Sequence, residues 1–324
     1  MDKVSIILPA YNVESYLART LRSLLNQTYK NLEILVVDDC SKDGTRQVIR
    51  QFAQGDPRIV PILLDVNHGV SYARNAALDT MTGDWVCFCD GDDWYAEDYL
   101  EQMISCVWET GADYVICDYY VVPENGPAIR SNSIRGLTTG CDPKLVVACG
   151  SPYSWTRMIK RDLFEKFGVR YPENCNRSEE LPVIPVLATC SRKIGIVDKP
   201  LYYYFQRSNG SSASNVAQVD YEKMFFTPFN LLRQAIGDEY EQELEYLIIY
   251  ALFYGRILDM CKQGLSTAEI KAKIREYTAQ YPNYGKNPYL PNAGIFKRSF
   301  IMFERWNWIL GLRILAKVHS LLVH

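Results

Sequence analysis

The sequence VCFCDGDDW, residues 86–94, joins a short apolar run to three carboxylates within four residues. The length of the run and its Val and Phe content are typical of a buried strand, and Gly91 allows a sharp turn after it. Like charges as close as those of Asp90, Asp92 and Asp93 repel one another unless a cation lies among them. Mg²⁺ is usually held by one or two carboxylates together with substrate phosphates. The stretch therefore predicts a strand followed by a metal and phosphate site, with an acidic surface turn as the alternative.

The first 120 residues alternate between short β-rich runs and segments whose apolar residues have helical spacing. The predicted strands are Val4–Ala10, Leu32–Val37, Ile59–Leu64, Trp85–Cys89 and Tyr114–Tyr120, and the predicted helices are Val13–Leu25, Thr45–Phe52, Ser71–Met81 and Asp98–Trp108. Such alternation is typical of a parallel, doubly wound sheet. Open sheets of this kind bind ligands at the carboxyl ends of their strands, which is where the carboxylates of residues 90–93 are expected.

The second half of the chain is less regular. Residues 123–140 are rich in turn residues and predict a loop or an edge hairpin. Pro185 predicts a kinked or irregular segment over Leu181–Leu187. Two short strands and then a mainly helical region are expected at Ile194–Val197, Leu201–Phe205 and residues 221–263.

Composition excludes several classes of protein. Hydrophobic residues make up 48% and charged residues 23% of the 324 residues, which predicts a large core and excludes wholesale disorder. The net charge of −3 gives no support for a nucleic-acid partner. Ten cysteines are scattered without zinc-ligand spacing, and the first strand follows Met1 without a signal-peptide pattern. We therefore expect reduced thiols in a cytoplasmic protein.

Residues 296–324 differ in character from the rest of the chain. They carry a net charge of +4, and two tryptophans are interleaved with the cations. Arg313 and Lys317 share one predicted helical stripe, with Leu310 and Ile314 largely elsewhere. A basic amphipathic helix with tryptophans is typical of a segment that lies in a membrane surface, although too much charge interrupts it for a spanning helix. We predict such a membrane-surface helix, with packing on its own domain or on a partner as the alternative.

Further predicted strand ends bring other side chains to the same edge of the sheet. The first strand ends at Tyr11 and the second at Asp38-Asp39, beside the carboxylates of residues 90–93. Tyr11 can stack on a nucleobase, and Asp39 can accept the ring N–H of a uracil. Taken alone, the Asp pair would more often be a helix-capping turn, but the convergence of three strand ends favours a ligand site.

The sequence NHGVSYARN, residues 67–75, predicts the start of a helix at this edge. Free backbone N–H groups and the Arg74 guanidinium could face an anionic group there. The alternative, which the sequence favours equally, is a structural ion pair between Arg74 and Asp90 or Asp92.

Together these motifs resemble glycosyltransferase family 2. The matching residues are the strand end Pro9–Asn12, the pair Asp38-Asp39, the segment Asn67–Asn75 and the D-x-D sequence Asp90-Gly91-Asp92. The resemblance is closest over residues 4–93, continues less tightly through about residue 213, and does not cover residues 215–324. It implies an α/β fold of GT-A type with a Rossmann-like, doubly wound mixed sheet, and the helical pattern after residue 215 adds a C-terminal helical extension to this prediction.

The resemblance also implies a set of donor-site residues. A nucleoside-diphosphate sugar, most often a UDP-sugar, would be the donor. Asp92 and Asp90 would form the site of Mn²⁺ or Mg²⁺ against its two phosphates, and Pro9, Tyr11 and Asp39 would hold the nucleobase. The implied nucleotide-sugar-binding residues are Pro9, Ala10, Tyr11, Asn12, Asp38, Asp39, Gly69, Arg74, Asp90, Gly91, Asp92 and Arg207.

The acceptor side matches the family less closely. The usual Glu-Asp pair corresponds here to Glu179-Glu180, which implies that these are the catalytic residues and that Glu180 is the base. Val183 stands where the family usually has an aromatic residue. Phe205 replaces the usual arginine, so that Arg207 would take over the phosphate contact. The implied acceptor-binding residues are Tyr153, Trp155 and Asp93, with ordinary core packing as the alternative for Trp155.

The resemblance and the change of sequence pattern near residue 215 together divide the chain into four predicted parts. Residues 1–120 and 121–214 would be the nucleotide-sugar-binding and acceptor-binding halves of the GT-A domain. Residues 215–295 would be the helical extension, and residues 296–324 the basic amphipathic tail.

The sequence thus predicts a metal-dependent, inverting glycosyltransferase that acts on a glycan or lipid-linked glycan at the inner face of the cell membrane. The departures at Glu180, Val183 and Phe205 motivate a second hypothesis, a catalytically silent sugar-nucleotide-binding subunit. A nucleotidyltransferase would need a Gly-rich, basic loop after the first strand, which residues 11–14 do not supply. The sequence is compatible with a monomer and with an oligomer.

Overall fold

A mixed sheet lies at the centre of the molecule. The computed structural model describes residues 2–175, 177–207 and 221–323, and in these residues the sheet has nine strands. The strands are β1 Val4–Ala10, β2 Leu32–Asp38, β3 Ile59–Leu63, β4 Trp85–Phe88, β5 Trp94–Tyr95, β6 Tyr114–Pro123, β7 Ile129–Arg130, β8 Arg157–Lys160 and β9 Ile194–Gln206.

The strand order is β3-β2-β1-β4-β8-β6-β9-β5, with β7 paired to β6. Strands β1 to β4 pair in parallel, whereas β8 runs antiparallel to both of its neighbours, β4 and β6. The first half of the sheet is therefore the predicted parallel, doubly wound part, and β8 makes the whole sheet mixed. The predicted α/β architecture with a doubly wound mixed sheet and helices at the C-terminus is confirmed.

Helices cover the sheet and form the C-terminal part of the molecule. They are α1 Glu14–Leu25, α2 Thr45–Gly55, α3 Val70–Thr80, α4 Tyr99–Thr110, α5 Pro143–Cys149, α6 Arg161–Lys166, α7 Ile184–Cys190, α8 Tyr221–Ile236, α9 Glu241–Ile248, α10 Ile257–Lys262, α11 Thr267–Gln280, α12 Ile295–Arg305 and α13 Ile309–Val323. A π-helical stretch, Ile249–Arg256, joins α9 to α10. In α1, the spacing of Leu17, Leu21 and Leu24 places one face in the core, as the sequence predicts.

Two local predictions in the second half are wrong. Strand β9 is one strand of 13 residues rather than two short strands, because a register shift near Cys117 and Asp118 lets β6 pair along its length. Pro185 does not kink a helix, because it lies in the first turn of α7, which begins at Ile184. Backbone N–H groups in the first turn of a helix have no intrahelical acceptor, so the missing N–H of proline costs no hydrogen bond there. The predicted boundary between residues 214 and 215 lies outside the described residues.

The C-terminal segment packs on the helical part through the buried side chains of Phe300, Ile309 and Leu312. In this segment Leu310 and Ile314 are 64% and 49% exposed. Arg313 donates to the Leu265 carbonyl oxygen at 2.6 Å. Within the part of the chain that the structure describes, every helix is too short or too polar to cross a membrane.

Candidate active site

Three strand ends meet at one edge of the sheet. In the parallel register, Ala10 lies beside Asp38, and Ile7 lies beside Phe88. Backbone hydrogen bonds extend this pairing past the strands, from Asp39 N–H to the Ala10 carbonyl at 2.9 Å and from Cys89 N–H to the Ile7 carbonyl at 3.0 Å. The structure therefore brings residues 9–12, 38–39 and 90–93 together, as the parallel sheet requires.

The turn after β1 presents an aromatic ring to solvent. Tyr11 is 44% exposed, whereas Ala10 beneath it is buried. Asn12 has a φ of +52°, a conformation that asparagine tolerates better than most residues. Its backbone N–H donates to Ser41 Oγ, and its side-chain oxygen accepts the N–H of Lys42. Asn12 therefore ties two strand ends together and leaves the Tyr11 ring free for stacking.

The Asp38-Asp39 pair supports the neighbouring loops. Asp38 is fully buried and forms an ion pair of 2.8 Å with Arg46, so the nucleotide contact predicted for it is not available. The two Asp39 oxygens accept the backbone N–H groups of His68 and Gly69, each at 2.8 Å. Gly69 needs its left-handed conformation, φ +89°, to begin α3 at this point. A carboxylate has further lone pairs, so Asp39 remains a candidate for the nucleobase N–H.

The three carboxylates after β4 have different surroundings. The Asp90 and Asp92 side chains are 33% and 22% exposed at the edge of the sheet. Asp93 is 1% exposed, and its oxygens accept the Tyr202 hydroxyl at 2.5 Å and the Phe205 N–H at 2.7 Å. Burial, and then the neighbouring carboxylates, raise the pKa of Asp93 well above its usual range. The acceptor contact predicted for Asp93 is therefore replaced by a structural role.

Gly91 has little space around its Cα atom. A Cβ atom there would lie 3.0 Å from Val13 Cγ2 and 3.3 Å from the Pro9 carbonyl oxygen. The Gly91 carbonyl also accepts a hydrogen bond from Thr20 Oγ1 at 3.1 Å. Close backbone approach thus explains the glycine between the two exposed aspartates.

Arg74 lies between the donor-side and acceptor-side carboxylates. Its guanidinium is 3% exposed and contacts Glu179 at 2.6 Å, Asp90 at 3.3 Å and Glu180 at 3.7 Å. It also lies over the Tyr171 ring, 5.1 Å from the centroid. Of the two predictions for Arg74, the structure shows the ion pair with Asp90 and adds the two glutamates, which the sequence did not connect to it.

Glu180 has a mostly buried carboxylate, 12% exposed. Its Oε1 atom accepts the Ser154 N–H at 2.8 Å and also the Ser154 hydroxyl. Burial raises the pKa of Glu180 to about 7, and the Glu179 and Asp90 charges add to that effect while Arg74 and Ser154 oppose it. A carboxyl group with such a pKa can accept a proton near neutral pH.

The predicted aromatic acceptor residues divide into one exposed and one buried ring. Tyr153 is 38% exposed and stacks on Trp155 with ring centroids 4.7 Å apart. Trp155 is only 4% exposed and stacks in turn on Tyr202 and Tyr204. Trp155 therefore belongs to the core, and Tyr153 is the ring that can meet a sugar.

A group of cations and aromatic rings surrounds Asp92. Arg207 forms an ion pair of 2.6 Å with Asp92 and lies over the Tyr16 ring. Arg19 donates to the Asp92 carbonyl oxygen at 2.6 Å and lies 3.9 Å from the Trp94 ring centroid. Sequence reasoning missed Tyr16 and Arg19. The sequence offers one indication of them. Tyr16 and Arg19 are three residues apart on the helix that follows the first strand, so they lie on the same helix face.

Asp90 and Asp92, which pair with Arg74 and Arg207, carry partly exposed oxygen atoms of the kind that a divalent cation prefers. No group of three or more His, Cys, Asp or Glu side chains that could hold a metal ion is present in the described residues. Asp93 is engaged within the protein. Asp90 and Asp92 remain as partly exposed oxygen donors at the sheet edge. Two carboxylates supplemented by phosphates are the usual protein environment of Mg²⁺ and its analogues. We therefore keep Asp90 and Asp92 as the candidate metal ligands.

Comparisons with known proteins point to one family. The family model described as glycosyl transferase family 2 matches residues 5–168, just over half of the chain. This match contains the three strand ends, Arg74 and the Ser154 turn.

Two curated relatives each match part of the chain. The glycosyltransferase GlyA of Streptococcus pneumoniae serotype 4 is 43% identical over 38% of this chain. The Escherichia coli protein named UDP-Glc:alpha-D-GlcNAc-diphosphoundecaprenol beta-1,3-glucosyltransferase WfgD is 36% identical over 45% of this chain. The chain spans 18% of the length of GlyA and 56% of the length of WfgD.

A solved structure resembles nearly the whole chain. Residues 1–349 of TarS from S. aureus, crystallised in complex with UDP-GlcNAc, superpose with a TM-score of 0.70. The match covers 98% of this chain and 91% of that chain at 21% identity. At this identity the likeness concerns the fold, including the helical C-terminal part.

We predict that Arg74→Gln lowers the free energy of unfolding by about 3–5 kcal/mol, because it leaves buried carboxylates without their cation. Arg170→Gln is the control, since Arg170 and its partner Asp79 are 40% and 65% exposed. The control should lose less than about 1 kcal/mol. Urea unfolding at pH 7 measures both effects. Similar losses in the two variants would contradict the role given to Arg74.

Proposed function

This chain belongs to glycosyltransferase family 2, and we propose that it transfers a sugar from a nucleoside-diphosphate donor to a hydroxyl of a glycan or lipid-linked glycan. The observation that carries the proposal is the contact of one guanidinium, that of Arg74, with Asp90, Glu179 and Glu180. The contact supports the proposal because a candidate diphosphate-side carboxylate and a candidate base both lie next to one cation. A transferase needs this proximity, since the sugar must lie between its leaving group and the attacking hydroxyl.

The proposed donor is a UDP-sugar. The printed name of WfgD specifies a UDP-Glc donor, and the TarS crystal contains UDP-GlcNAc. In this chain, the exposed Tyr11 ring would stack on the nucleobase beside Pro9, and Asp39 would accept its ring N–H. The proposal leaves the identity of the transferred sugar to the shape of the acceptor-side pocket.

The diphosphate would lie near Asp90, Asp92 and Arg207. Mn²⁺ or Mg²⁺ held by the two aspartates would supply Lewis-acid stabilisation of the departing diphosphate. Arg207, which now pairs with Asp92 at 2.6 Å, carries a fixed positive charge at the same place. Its guanidinium can hold a phosphate oxygen by charge-assisted hydrogen bonds.

The acceptor hydroxyl would lose its proton to Glu180. Ser154 fixes one carboxylate oxygen of Glu180, and the pKa of about 7 suits proton transfer near neutral pH. Tyr153, exposed beside this group, would stack on the acceptor sugar ring. A single displacement of this kind inverts the anomeric centre.

We also propose that α12 and α13 bind the surface of an anionic membrane, which would place the enzyme close to a lipid-linked acceptor. The exposed large apolar side chains of α12, α13 and the turn between them are Ile295, Met302, Trp306, Trp308, Leu310, Ile314 and Val318. Arg298, Arg305 and Lys317 are exposed among them. The only carboxylate of this segment, Glu304, is 2% exposed, and burial raises its pKa well above the usual range. Exposed apolar rings with an excess of cations suit anionic lipid.

Asp92→Asn should abolish most metal-dependent turnover, because it removes one carboxylate charge while keeping the side-chain shape. We expect UDP release from a UDP-sugar to fall by about 100-fold or more. The measurement is UDP release during an Mn²⁺ titration with a panel of UDP-sugars. Asp162→Asn, at a 65% exposed site, is the matched control. Wild-type rates of Asp92→Asn in saturating Mn²⁺ would refute the assignment. A wild-type protein that binds donors without turnover would instead be the silent subunit.

Glu180→Gln should lower kcat by about 100-fold or more and leave donor binding nearly unchanged, because only the proton acceptor is lost. In the wild type, turnover should rise with pH through about 7, since Glu180 must be deprotonated to act as a base. Below that pH, kcat should fall by about tenfold per unit. The control is Glu165→Gln, at a 57% exposed site. Full turnover by Glu180→Gln would place the base elsewhere.

The triple variant Trp306→Ser/Trp308→Ser/Leu310→Ser should lose binding to vesicles that contain phosphatidylglycerol, as measured by flotation. Trp108→Ser is the matched control, because Trp108 is 54% exposed but lies outside α12 and α13. Wild type and control should float with anionic vesicles and not with phosphatidylcholine vesicles. Equal flotation of the triple variant and the control would rule out this surface as the membrane contact.

A further inference from the structure

Ser154 makes an unusual double contact with the proposed base. It begins a short 3₁₀ turn, Ser154–Thr156, and is fully buried. Its backbone N–H and its hydroxyl both donate to the same atom, Glu180 Oε1, with the N–H at 2.8 Å. The Arg74 guanidinium approaches this same oxygen at 3.7 Å. In the described residues, Glu180 Oε2 has no hydrogen-bond partner.

We propose that Ser154 is a positioning residue that orients the Glu180 carboxylate for proton transfer, an inference that rests on the proposed function of Glu180. Two donors on Oε1 restrict rotation of the carboxylate about its last side-chain bond. The second oxygen, Oε2, is then the one directed to the acceptor hydroxyl. Catalysis by a base depends on such orientation, because small displacements of reacting atoms cost large factors in rate.

The hydroxyl of Ser154 also acts on the charge of Glu180. A donor to a carboxylate favours its ionised form, so Ser154 opposes the burial that raises the pKa of Glu180. The other charged or titratable groups that interact with this carboxyl group are Arg74, Asp90, Glu179, Tyr114, Tyr153 and Tyr171. Arg74 and Ser154 favour the ionised form of Glu180, whereas burial, Glu179 and Asp90 oppose it and raise its pKa.

The test replaces the hydroxyl and leaves the backbone donor in place. Ser154→Ala removes the side-chain donor, and Ser154→Cys keeps nearly the same volume with a much weaker donor. The matched control is Ser5→Ala, because Ser5 is also fully buried and its hydroxyl donates to another glutamate, Glu33, at 2.6 Å. Each variant is first checked for folding by thermal unfolding, and kcat, donor KM and the pH dependence of kcat are then measured.

We expect both Ser154 variants to lower kcat by about tenfold and to leave donor KM within about twofold of wild type. The acidic limb of their pH profiles should move to higher pH, because the ionised form of Glu180 loses a donor. Ser5→Ala should leave kcat and the pH profile unchanged. If both Ser154 variants fold and keep the wild-type kcat and pH profile, the inference is overturned, while the turnover itself still supports the proposed function.

A second readout does not depend on turnover. The carboxyl carbon of Glu180 can be followed by NMR in protein labelled with ¹³C-glutamate, with Glu180→Gln used to assign its signal. The midpoint of its titration should lie at higher pH in Ser154→Ala than in wild type and in Ser5→Ala. An unchanged midpoint in Ser154→Ala would overturn the inference, whether or not the protein turns over a sugar donor. A lack of turnover with every donor would count against the proposed function alone.

Discussion

The buried guanidinium of Arg74 holds the two halves of the site together. Arg74 lies on α3, a helix of the parallel half of the domain, and contacts Asp90 after β4. It also contacts Glu179 and Glu180, which lie more than 80 residues after Asp90 in the chain. Buried carboxylates at this spacing would repel one another, and each would be costly to ionise without a cation. The single charge of Arg74 therefore allows several acids to share one crevice.

The acidic residues of the site have the same functional group but differ in their surroundings. Asp90 and Asp92 lie at the open edge, where they suit a cation and phosphates. Asp93, their neighbour in sequence, points into the sheet and is used by Tyr202 and Phe205. Glu180 is buried between these environments and has a pKa raised to about 7. Burial and hydrogen bonding thus fit similar carboxyl groups for a proposed ligand role, a structural role and a proposed catalytic role.

The family motifs lie in the sheet-containing part of the chain and do not extend to the C-terminal helices. These helices nevertheless bury side chains of their own. They pack through Phe300, Ile309 and Leu312 and keep a surface of apolar side chains and cations exposed. TarS, at 21% identity, has a comparable helical part. The local sequence therefore sets the helices, whereas their packing selects which side of each amphipathic helix faces solvent.

The sequence alone determined the parallel half of the sheet, the meeting of three strand ends and the family, because hydrophobic periodicity and short motifs act over a few residues. Only the tertiary structure decided which acids face the crevice. It buried Asp38, Asp93 and Trp155, which the motifs had offered as ligand contacts, and it brought Ser154 to Glu180 across 26 positions of the chain. Contacts between distant segments depend on packing and register, and no local pattern records them.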